Sequence, residues 1–353
     1  MMSDVYAKLA EHLDNLPAGF PATDSGVELR ILKRLFTPQE AEIAPGLTMK
    51  PETAAAIAGR LSRDEADLAA LLETMAAKGL IFRANKGDTA LYMASQFVVG
   101  IWEYHLNDLN EELIQDVNAY LPEFMHKSWI KHETKQLRVI PVSREVAVEQ
   151  AIMPYETAEE IIRSQSKIVV ADCICRKEHR MIGKGCDSPM EVCLSFGSGA
   201  YYYEKNGLGR AIDQEEALKI LNQGREAGLV LQPGNAQKPA NICMCCGCCC
   251  QILKNLKTLE NPAQVVHTNY YAKVDEAACV SCEACVEQCA MDAITLGETA
   301  VVDRRRCIGC GVCVSVCPEE ALSLAQKLAE DQYVPPKTTV QTFLKMAGER
   351  GKL

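Results

Sequence analysis

Two cysteine runs with identical spacing lie in the last quarter of this 353-residue chain. The first run is Cys279, Cys282, Cys285 and Cys289, and the second is Cys307, Cys310, Cys313 and Cys317. A shift of 28 residues lays each cysteine of the first run on one of the second, and it also lays Val274-Asp275 on Val302-Asp303. The segment is therefore an internal duplication, and its two halves should fold alike.

The spacing within each run favours iron–sulfur ligation. Three thiolates at intervals of two residues can lie on one tight loop and bind three irons of one cube, whereas the fourth points away towards a second cube. A pair of zinc sites is the alternative. It is disfavoured because zinc sites commonly use two separated cysteine pairs rather than four cysteines within eleven residues.

This pair of runs resembles the bacterial-type two-cluster ferredoxin, an electron carrier. The resemblance implies two 4Fe–4S clusters with crossed ligands. One cluster would be held by Cys279, Cys282, Cys285 and Cys317, and the other by Cys307, Cys310, Cys313 and Cys289. Ala290 departs from the ferredoxin pattern, in which proline follows the fourth cysteine, as Pro318 does in the second run. We expect Ala290 to affect the local turn and not the ligation.

Ten further cysteines lie upstream in two groups. The groups are Cys173, Cys175, Cys186 and Cys193, followed by Cys243, Cys245, Cys246, Cys248, Cys249 and Cys250. Because cytosolic thiols are kept reduced, this density indicates metal ligation or redox chemistry rather than disulfides. We expect one further Fe–S cluster, or two, with ligands from both groups; the favoured ligands are Cys173, Cys175, Cys193, Cys243 and Cys246. A zinc site, a reactive thiol relay and cysteines that only fill space are the alternatives.

The stretch from Cys173 to Cys250 resembles a segment found beside ferredoxin domains in polyferredoxin-like proteins of anaerobic bacteria. Cationic residues lie between its first cysteines, where they could offset cluster charge, dock an acidic partner or form a solvated loop: Arg176, Lys177, His179, Arg180 and Lys184. The run Tyr201-Tyr202-Tyr203 could line a pocket or cover a cluster, but packing is the favoured interpretation. The run Arg304-Arg305-Arg306 could tune the nearby cluster or keep an edge strand soluble.

The N-terminal region has local signals for helices and a hairpin. Capping boxes at Thr37-Pro38-Gln39-Glu40 and Ser62-Arg63-Asp64-Glu65 predict two helix starts, and Asn85-Lys86-Gly87-Asp88 predicts a turn between two strands. This order resembles the winged-helix domain of small bacterial regulators. DNA binding needs basic residues, but Gly26 to Gly100 contains nine basic and nine acidic residues. A protein-docking or structural role is therefore favoured.

The middle of the chain carries several further element predictions. A long helix is expected from Ile101 to near Leu121-Pro122, and a short strand over Leu137–Ile140. Asp213 with Glu216 predicts another helix start. Together these signals predict an α+β, multidomain chain. Its parts would be a winged-helix-like domain (1–100), a mixed α/β cysteine-rich domain (101–271), a ferredoxin-like two-cluster domain (272–326) and a C-terminal tail (327–353).

Charge and hydropathy restrict the partners and the compartment. The net charge of -10 argues against nonspecific attraction to nucleic acid or anionic membranes. The N-terminus lacks the basic start and apolar stretch of a signal peptide, so a cytoplasmic protein is expected. The longest apolar run, Ala90 to Trp102, is too short to cross a bilayer.

Electron transfer is the expected function. Single electrons would pass between redox protein partners, such as an oxidoreductase, through two 4Fe–4S clusters and at least one more. The sequence has no nucleotide fingerprint, flavin motif or acid–base constellation, so a carrier or electron-transfer subunit is favoured over an enzyme. Two other classes stay open: a redox-responsive Fe–S transcription regulator, and an enzyme that binds substrate at a cluster with an open iron site.

Overall fold

The computed structural model describes residues 4–142 and 153–352, which combine helices with several small sheets. The chain forms two compact units: residues 1–133, 198–210 and 343–353 make up unit 1, and residues 134–197 and 211–342 make up unit 2. These units follow spatial contacts and are not consecutive segments, so the domain boundaries expected from the sequence remain predictions. No helix in the described ranges is long and apolar enough to span a membrane.

Unit 1 is mainly helical. Its elements up to residue 133 are α1 (Val5–Asn15), α2 (Val27–Leu35), α3 (Pro38–Ile43), α4 (Ala54–Leu61), α5 (Glu65–Ala77), β1 (Phe82–Lys86), β2 (Thr89–Met93), α6 (Trp102–Tyr104) and α7 (Glu111–Phe124). A 3-10 turn at Ala44–Gly46 follows α3, and a π-helical turn at Met125–Trp129 follows α7. The predicted order of helices and hairpin is present, whereas the winged-helix resemblance itself remains a prediction.

The two predicted capping boxes have different outcomes. At α3, the Thr37 hydroxyl accepts from the Glu40 N–H and the Glu40 carboxylate accepts from the Thr37 N–H, so this box is confirmed. The second box is wrong. Asp64 caps α5, because its carboxylate accepts from two backbone N–H groups, whereas Ser62 ends α4 in the left-handed conformation with φ 52°. An aspartate is as good an N-cap as serine, and it lies nearer to the helix.

The predicted long helix after Ile101 is also wrong. It is interrupted between α6 and α7, where Asn110 begins α7 by capping the N–H of Leu113. Pro122 does not end α7, which continues to Phe124. Proline removes one helical hydrogen bond, but the helix continues because its buried face includes Tyr120 and Phe124.

Tyr202 connects three segments of unit 1. Its hydroxyl lies 2.9 Å from the carbonyl oxygen of Ala76 and 3.0 Å from that of Ile81. Its ring stacks on Phe82 with centroids 4.8 Å apart. The packing interpretation is confirmed for Tyr202, whereas the neighbouring Tyr201 is 63% exposed.

The elements after residue 133 belong mostly to unit 2. They are α8 (Ala158–Arg163), β3 (Ile168–Asp172), α9 (Ile174–Met181), β4 (Glu191–Phe196), α10 (Gly197–Lys205), β5 (Arg210–Ile212), α11 (Gln214–Glu226), β6 (Val230–Pro233), β7 (Asn241–Cys245), α12 (Gln251–Lys257), β8 (Tyr270–Val274), α13 (Ala284–Glu287), β9 (Ile294–Leu296), β10 (Ala300–Val302), α14 (Val312–Ser315), β11 (Leu322–Gln326) and α15 (Thr339–Glu349). Three 3-10 turns accompany them, at Pro154–Glu156, Pro262–Val265 and Ala329–Asp331. Most of α10 and α15 lies in residues assigned to unit 1.

A five-stranded sheet forms one part of unit 2, with the strand order β5-β3-β4-β7-β6. The pairs β3–β4, β4–β7 and β6–β7 are antiparallel. Asp213 caps α11 as predicted. The strand predicted over Leu137–Ile140 is wrong, because within it only Leu137 and Ile140 form isolated bridges to the chain around β6.

In the duplicated segment, the strands of one half pair with the strands of the other half. β8 from the first half pairs with β11 from the second, and β9 from the first half pairs with β10 from the second, both antiparallel. The alternating inward residues of these strands form a small core with Cys285 and Cys313. Each half therefore completes the sheet of the other, which brings cysteines from both runs together.

Candidate metal centres

The first cysteine set surrounds one cavity. Cys279, Cys282 and Cys285 line it, and Cys317 joins them from the other run. Burial raises the pKa of the Cys285 thiol, and the charges of Cys282, Cys317 and Cys279 raise it further. Four convergent thiols in one cavity fit an iron–sulfur cluster, because thiolates are its protein ligands.

The second set lies in a more buried environment. Burial raises the pKa of Cys310 to about 12, and charges at Cys307 and Cys289 contribute in the same direction. The pKa of Cys313 is raised mainly by burial and also by the nearby Cys310, Cys307 and Cys289. Cys289 of the first run thus lies among the cysteines of the second run.

Backbone N–H groups point at the cysteine sulfurs in a crossed manner. The Ala300 N–H donates to the Cys279 Sγ at 3.4 Å, and the Ala272 N–H donates to the Cys307 Sγ at 3.4 Å. Ala272 and Ala300 are equivalent under the 28-residue shift, and each donates to the other half. Such bonds favour the thiolate form and help to set the potential of a bound cluster.

The two cysteine loops differ at the positions with left-handed backbone. Ser281 and Glu283 in the first loop have φ of 55° and 68°, and glycines occupy the equivalent positions of the second loop. A Cβ at Gly309 would lie 2.2 Å from the carbonyl oxygen of Tyr270, and one at Gly311 would lie 2.8 Å from the Leu324 side chain. The second loop is therefore packed closely within unit 2. The first loop exposes Cys282.

Six upstream cysteines form a continuous series in which each thiol interacts with the next. The order is Cys173, Cys175, Cys250, Cys245, Cys243 and Cys193. Cys243 and Cys245 are two residues apart on β7, so their side chains share a face of the strand. Cys193 lies on the adjacent strand β4, and the remaining three flank the starts of α9 and α12. We call this set the six-thiol group.

Interactions within the six-thiol group shift the pKa values of its thiols in opposite directions. Bonds from Cys175 and Cys245 lower the pKa of Cys250, and the bonds that Cys175 donates raise its own pKa. Two amides also approach the sulfurs: the Asn241 Nδ2 lies 3.5 Å from the Cys243 Sγ, and the Gln232 Nε2 lies 3.9 Å from the Cys250 Sγ. A metal bound by thiolates needs hydrogen-bond donors around its ligands, and these two amides supply such donors.

The other four upstream cysteines form a separate set. Cys186 follows α9, and Cys246, Cys248 and Cys249 lie in the turn between β7 and α12. Their Sγ atoms all lie within 4.8 Å of one another. We call this set the four-thiol group. The five ligands favoured from the sequence are thus divided, because four lie in the six-thiol group and Cys246 lies here.

Arg176 lies beside both groups. Its side chain is fully buried, and it donates to the carbonyl oxygens of Pro189 at 2.5 Å and Met244 at 2.6 Å. It also interacts with the sulfurs of Cys173 and Cys246. Of the three roles considered for this cationic stretch, its position supports charge compensation, because a buried cation offsets thiolate charge. A solvated loop is wrong for Arg176.

His179 is also buried, and both of its ring nitrogens have partners. The Nδ1 lies 2.7 Å from the carbonyl oxygen of Cys175, and the Nε2 lies 3.0 Å from the Lys254 ammonium. The Nδ1 therefore carries the proton and the Nε2 accepts. The contact of the Nε2 with Lys254 joins α9 to α12, and the position of His179 on α9 rather than in a loop explains its burial.

Arg306 connects the duplicated segment to the end of α12. Its guanidinium donates to the carbonyl oxygens of Met291 at 2.9 Å, Leu259 at 2.8 Å and Lys257 at 2.9 Å. Arg305 is exposed and forms ion pairs with Asp303 and Glu260. These two consecutive arginines therefore differ in role, which their sequence did not indicate.

Comparison with known families gives one match. Residues 272–324 match the family model described as a 4Fe-4S dicluster domain. This part of the chain is an iron–sulfur domain. Comparisons with curated proteins and with solved structures found no match. The matched residues contain all eight cysteines of the duplicated segment, and the ten upstream cysteines lie outside them.

Proposed function

We propose that this protein carries single electrons between redox protein partners. The observation that carries this proposal is the cavity in which Cys317 lies with cysteines of the other run. In the proposed arrangement, Cys279, Cys282, Cys285 and Cys317 hold one 4Fe–4S cluster, and Cys307, Cys310, Cys313 and Cys289 hold the other. Each cluster, when bound, supplies a site that takes up or releases one electron.

The exposed loop of the dicluster domain supports a partner site near the first cysteine set. Cys282 is exposed, and the adjacent Val280 is 61% exposed. An apolar side chain at the surface next to a ligand allows a partner to approach closely and exclude water. The proposed site of electron exchange is therefore the loop from Val280 to Glu283.

The six-thiol group is the proposed site of a further Fe–S cluster. It offers more thiols than one cube needs, and it includes four of the five ligands favoured from the sequence. The amides of Asn241 and Gln232 and the buried Arg176 support an anionic cofactor there. In this proposal Cys245 and Cys250 take the place of Cys246.

Iron and sulfide analysis of anaerobically purified protein tests the cluster content. We expect more than eight irons per chain with matching acid-labile sulfide, because the dicluster domain would account for eight. Cys175→Ser should remove only the excess above eight. Eight irons in both the wild type and this variant would contradict a cluster in the six-thiol group without affecting the dicluster proposal.

Electron paramagnetic resonance of the reduced protein tests the crossed ligands. Cys317→Ser and Cys282→Ser should alter the same cluster signal, because both residues would bind the same cluster. Cys289→Ser is the matched control and should alter the other signal. If Cys317→Ser instead changed the signal that Cys310→Ser changes, the ligands would not be crossed.

Stopped-flow reduction tests the carrier role itself. A low-potential donor should reduce the holoprotein, and the reduced protein should pass electrons to an acceptor protein in a second step. Val280→Glu should slow the second step while leaving the iron content unchanged, because the charge disturbs the surface and not a ligand. Equal rates for this variant and the wild type would exclude the loop from Val280 to Glu283 as the site of exchange.

A further inference from the structure

The four-thiol group has distances that differ from those a cluster needs. The Sγ of Cys186 lies 3.8 Å from that of Cys246 and 3.7 Å from that of Cys249, and the Sγ atoms of Cys248 and Cys249 are 3.8 Å apart. The remaining pairs stay within 4.8 Å. Four sulfurs this close enclose the volume of a single atom.

A single tetrahedral ion accounts for this spacing. Zinc–sulfur bonds of about 2.3 Å in a regular tetrahedron place the sulfurs about 3.8 Å apart. In a 4Fe–4S cube each thiolate binds a different iron, so the cysteine sulfurs are separated by on the order of 6 Å. The sulfur–sulfur separations in the four-thiol group match the zinc geometry and are too short for a cube.

The dicluster domain provides an internal comparison. Within residues 4–142 and 153–352, the four-thiol group is the set of cysteines whose sulfurs meet the 4.8 Å limit. No three cysteines of the dicluster domain do so in those ranges, although that domain matches an iron–sulfur family. The two kinds of site are therefore distinguished by geometry within one chain.

The surroundings of the four-thiol group hold its two loops in place. Arg180 donates from Nε and Nη2 to the carbonyl oxygen of Cys186, at 3.2 Å and 3.0 Å, and so fixes the first loop. Gly185 passes against Arg180, where a Cβ would lie 2.3 Å from its Cγ. The buried Arg176 interacts with Cys246 and offsets part of the negative charge of four thiolates.

We propose that Cys186, Cys246, Cys248 and Cys249 bind one zinc ion. The site has four thiolate ligands and no open position, which is the form of a structural zinc site. The ion ties the loop after α9 to the turn between β7 and α12. Gly247 in that turn packs against Ala290, where a Cβ would lie 3.0 Å from the Ala290 Cα. The ion thereby fixes the turn that borders the dicluster domain.

Metal analysis of adjacent cysteine variants tests this assignment. Protein purified anaerobically should contain about one zinc per chain. Cys248→Ser and Cys249→Ser should lose it while keeping iron and sulfide. Cys250→Ser is the matched control, because Cys250 is the next residue but belongs to the six-thiol group; it should keep its zinc.

Three results would overturn the zinc site. They are a joint loss of iron and sulfide in Cys248→Ser, one iron without sulfide in place of zinc, and wild-type protein without stoichiometric zinc. Zinc X-ray absorption of the wild type avoids dependence on variants that fail to fold. It should show four sulfurs at about 2.3 Å; nitrogen or oxygen neighbours would contradict the four-thiolate site. None of these results affects the dicluster proposal, because the iron of the dicluster domain is counted separately.

Discussion

Replacing Arg306 with alanine should loosen both the dicluster domain and its connection to the end of α12. The variant removes three hydrogen bonds of 2.8 to 2.9 Å to the carbonyl oxygens of Met291, Leu259 and Lys257. Each contributes about 1 kcal/mol net, so the loss is about 3 kcal/mol in total. The free energy of unfolding of a typical domain is roughly 5 to 15 kcal/mol, so this loss is a large part of it.

Cluster loss under mild denaturation is a suitable measurement for this effect. Anaerobic holoprotein is placed in a fixed concentration of guanidinium chloride with an iron chelator, and the visible absorbance is followed. If the three bonds are absent from the transition state of opening, a loss of 3 kcal/mol accelerates the decay on the order of 100-fold. Arg306→Lys should fall between the wild type and the alanine variant, because one ammonium cannot reproduce the planar guanidinium fork.

Arg305→Ala is the matched control for this prediction. Arg305 is exposed and pairs with surface carboxylates, so its loss should change the rate by a small factor. The reasoning is refuted if Arg306→Ala decays within twofold of Arg305→Ala. That result would mean that water replaces the guanidinium at all three carbonyl groups without cost.

Three further predictions concern tyrosines of unit 1 and cysteines of the dicluster domain. Tyr202→Phe should lower the free energy of unfolding by about 1 to 2 kcal/mol, because its hydroxyl no longer donates to the carbonyl oxygens, while the exposed Tyr201→Phe should have a smaller effect in the same denaturant titration. Burial, with a hydrogen bond to Glu73, raises the pKa of Tyr92 to about 12. The ordinary pKa of a tyrosine is 10.0, so the free energy of unfolding that Tyr92 contributes below about pH 10 should be lost between about pH 10 and 12. Tyr92→Phe should abolish this part of the alkaline unfolding transition. Iron should leave the dicluster domain in two chelation phases, because Cys282 is exposed whereas burial raises the pKa of Cys310 to about 12; a single phase would contradict the difference between the two sets.

Local signals gave the most reliable predictions. The capping residues Thr37 and Asp213 act within a few residues of the chain, so the sequence contains everything that they need. The hairpin of β1 and β2 likewise depends on its own turn, with Lys86 paired to Thr89. The 28-residue repeat in the sequence is sufficient to align the two halves of the dicluster domain. Local chemistry determines these features, and it can be read in order along the chain.

Features that depend on distant contacts were not predictable in this way. A cationic run is usually exposed, so nothing in the sequence indicated that Arg176 is buried between two sets of thiols. The division of ten cysteines into six and four depends on where α9, β4 and β7 meet. Cys245 ends β7 and belongs to the six-thiol group. The next residue, Cys246, begins the turn and belongs to the four-thiol group.

The glycines at positions 309 and 311 make the two cysteine loops of the dicluster domain unequal, although the two halves are repeats of each other. Ser281 and Glu283 leave the first loop at the surface, whereas Gly309 and Gly311 let the second loop pack against its surroundings. Two clusters in unequal environments can have unequal potentials, since burial disfavours additional negative charge. A duplication that began with interchangeable halves would thus become a directed pair, in which an electron has a favoured direction of travel.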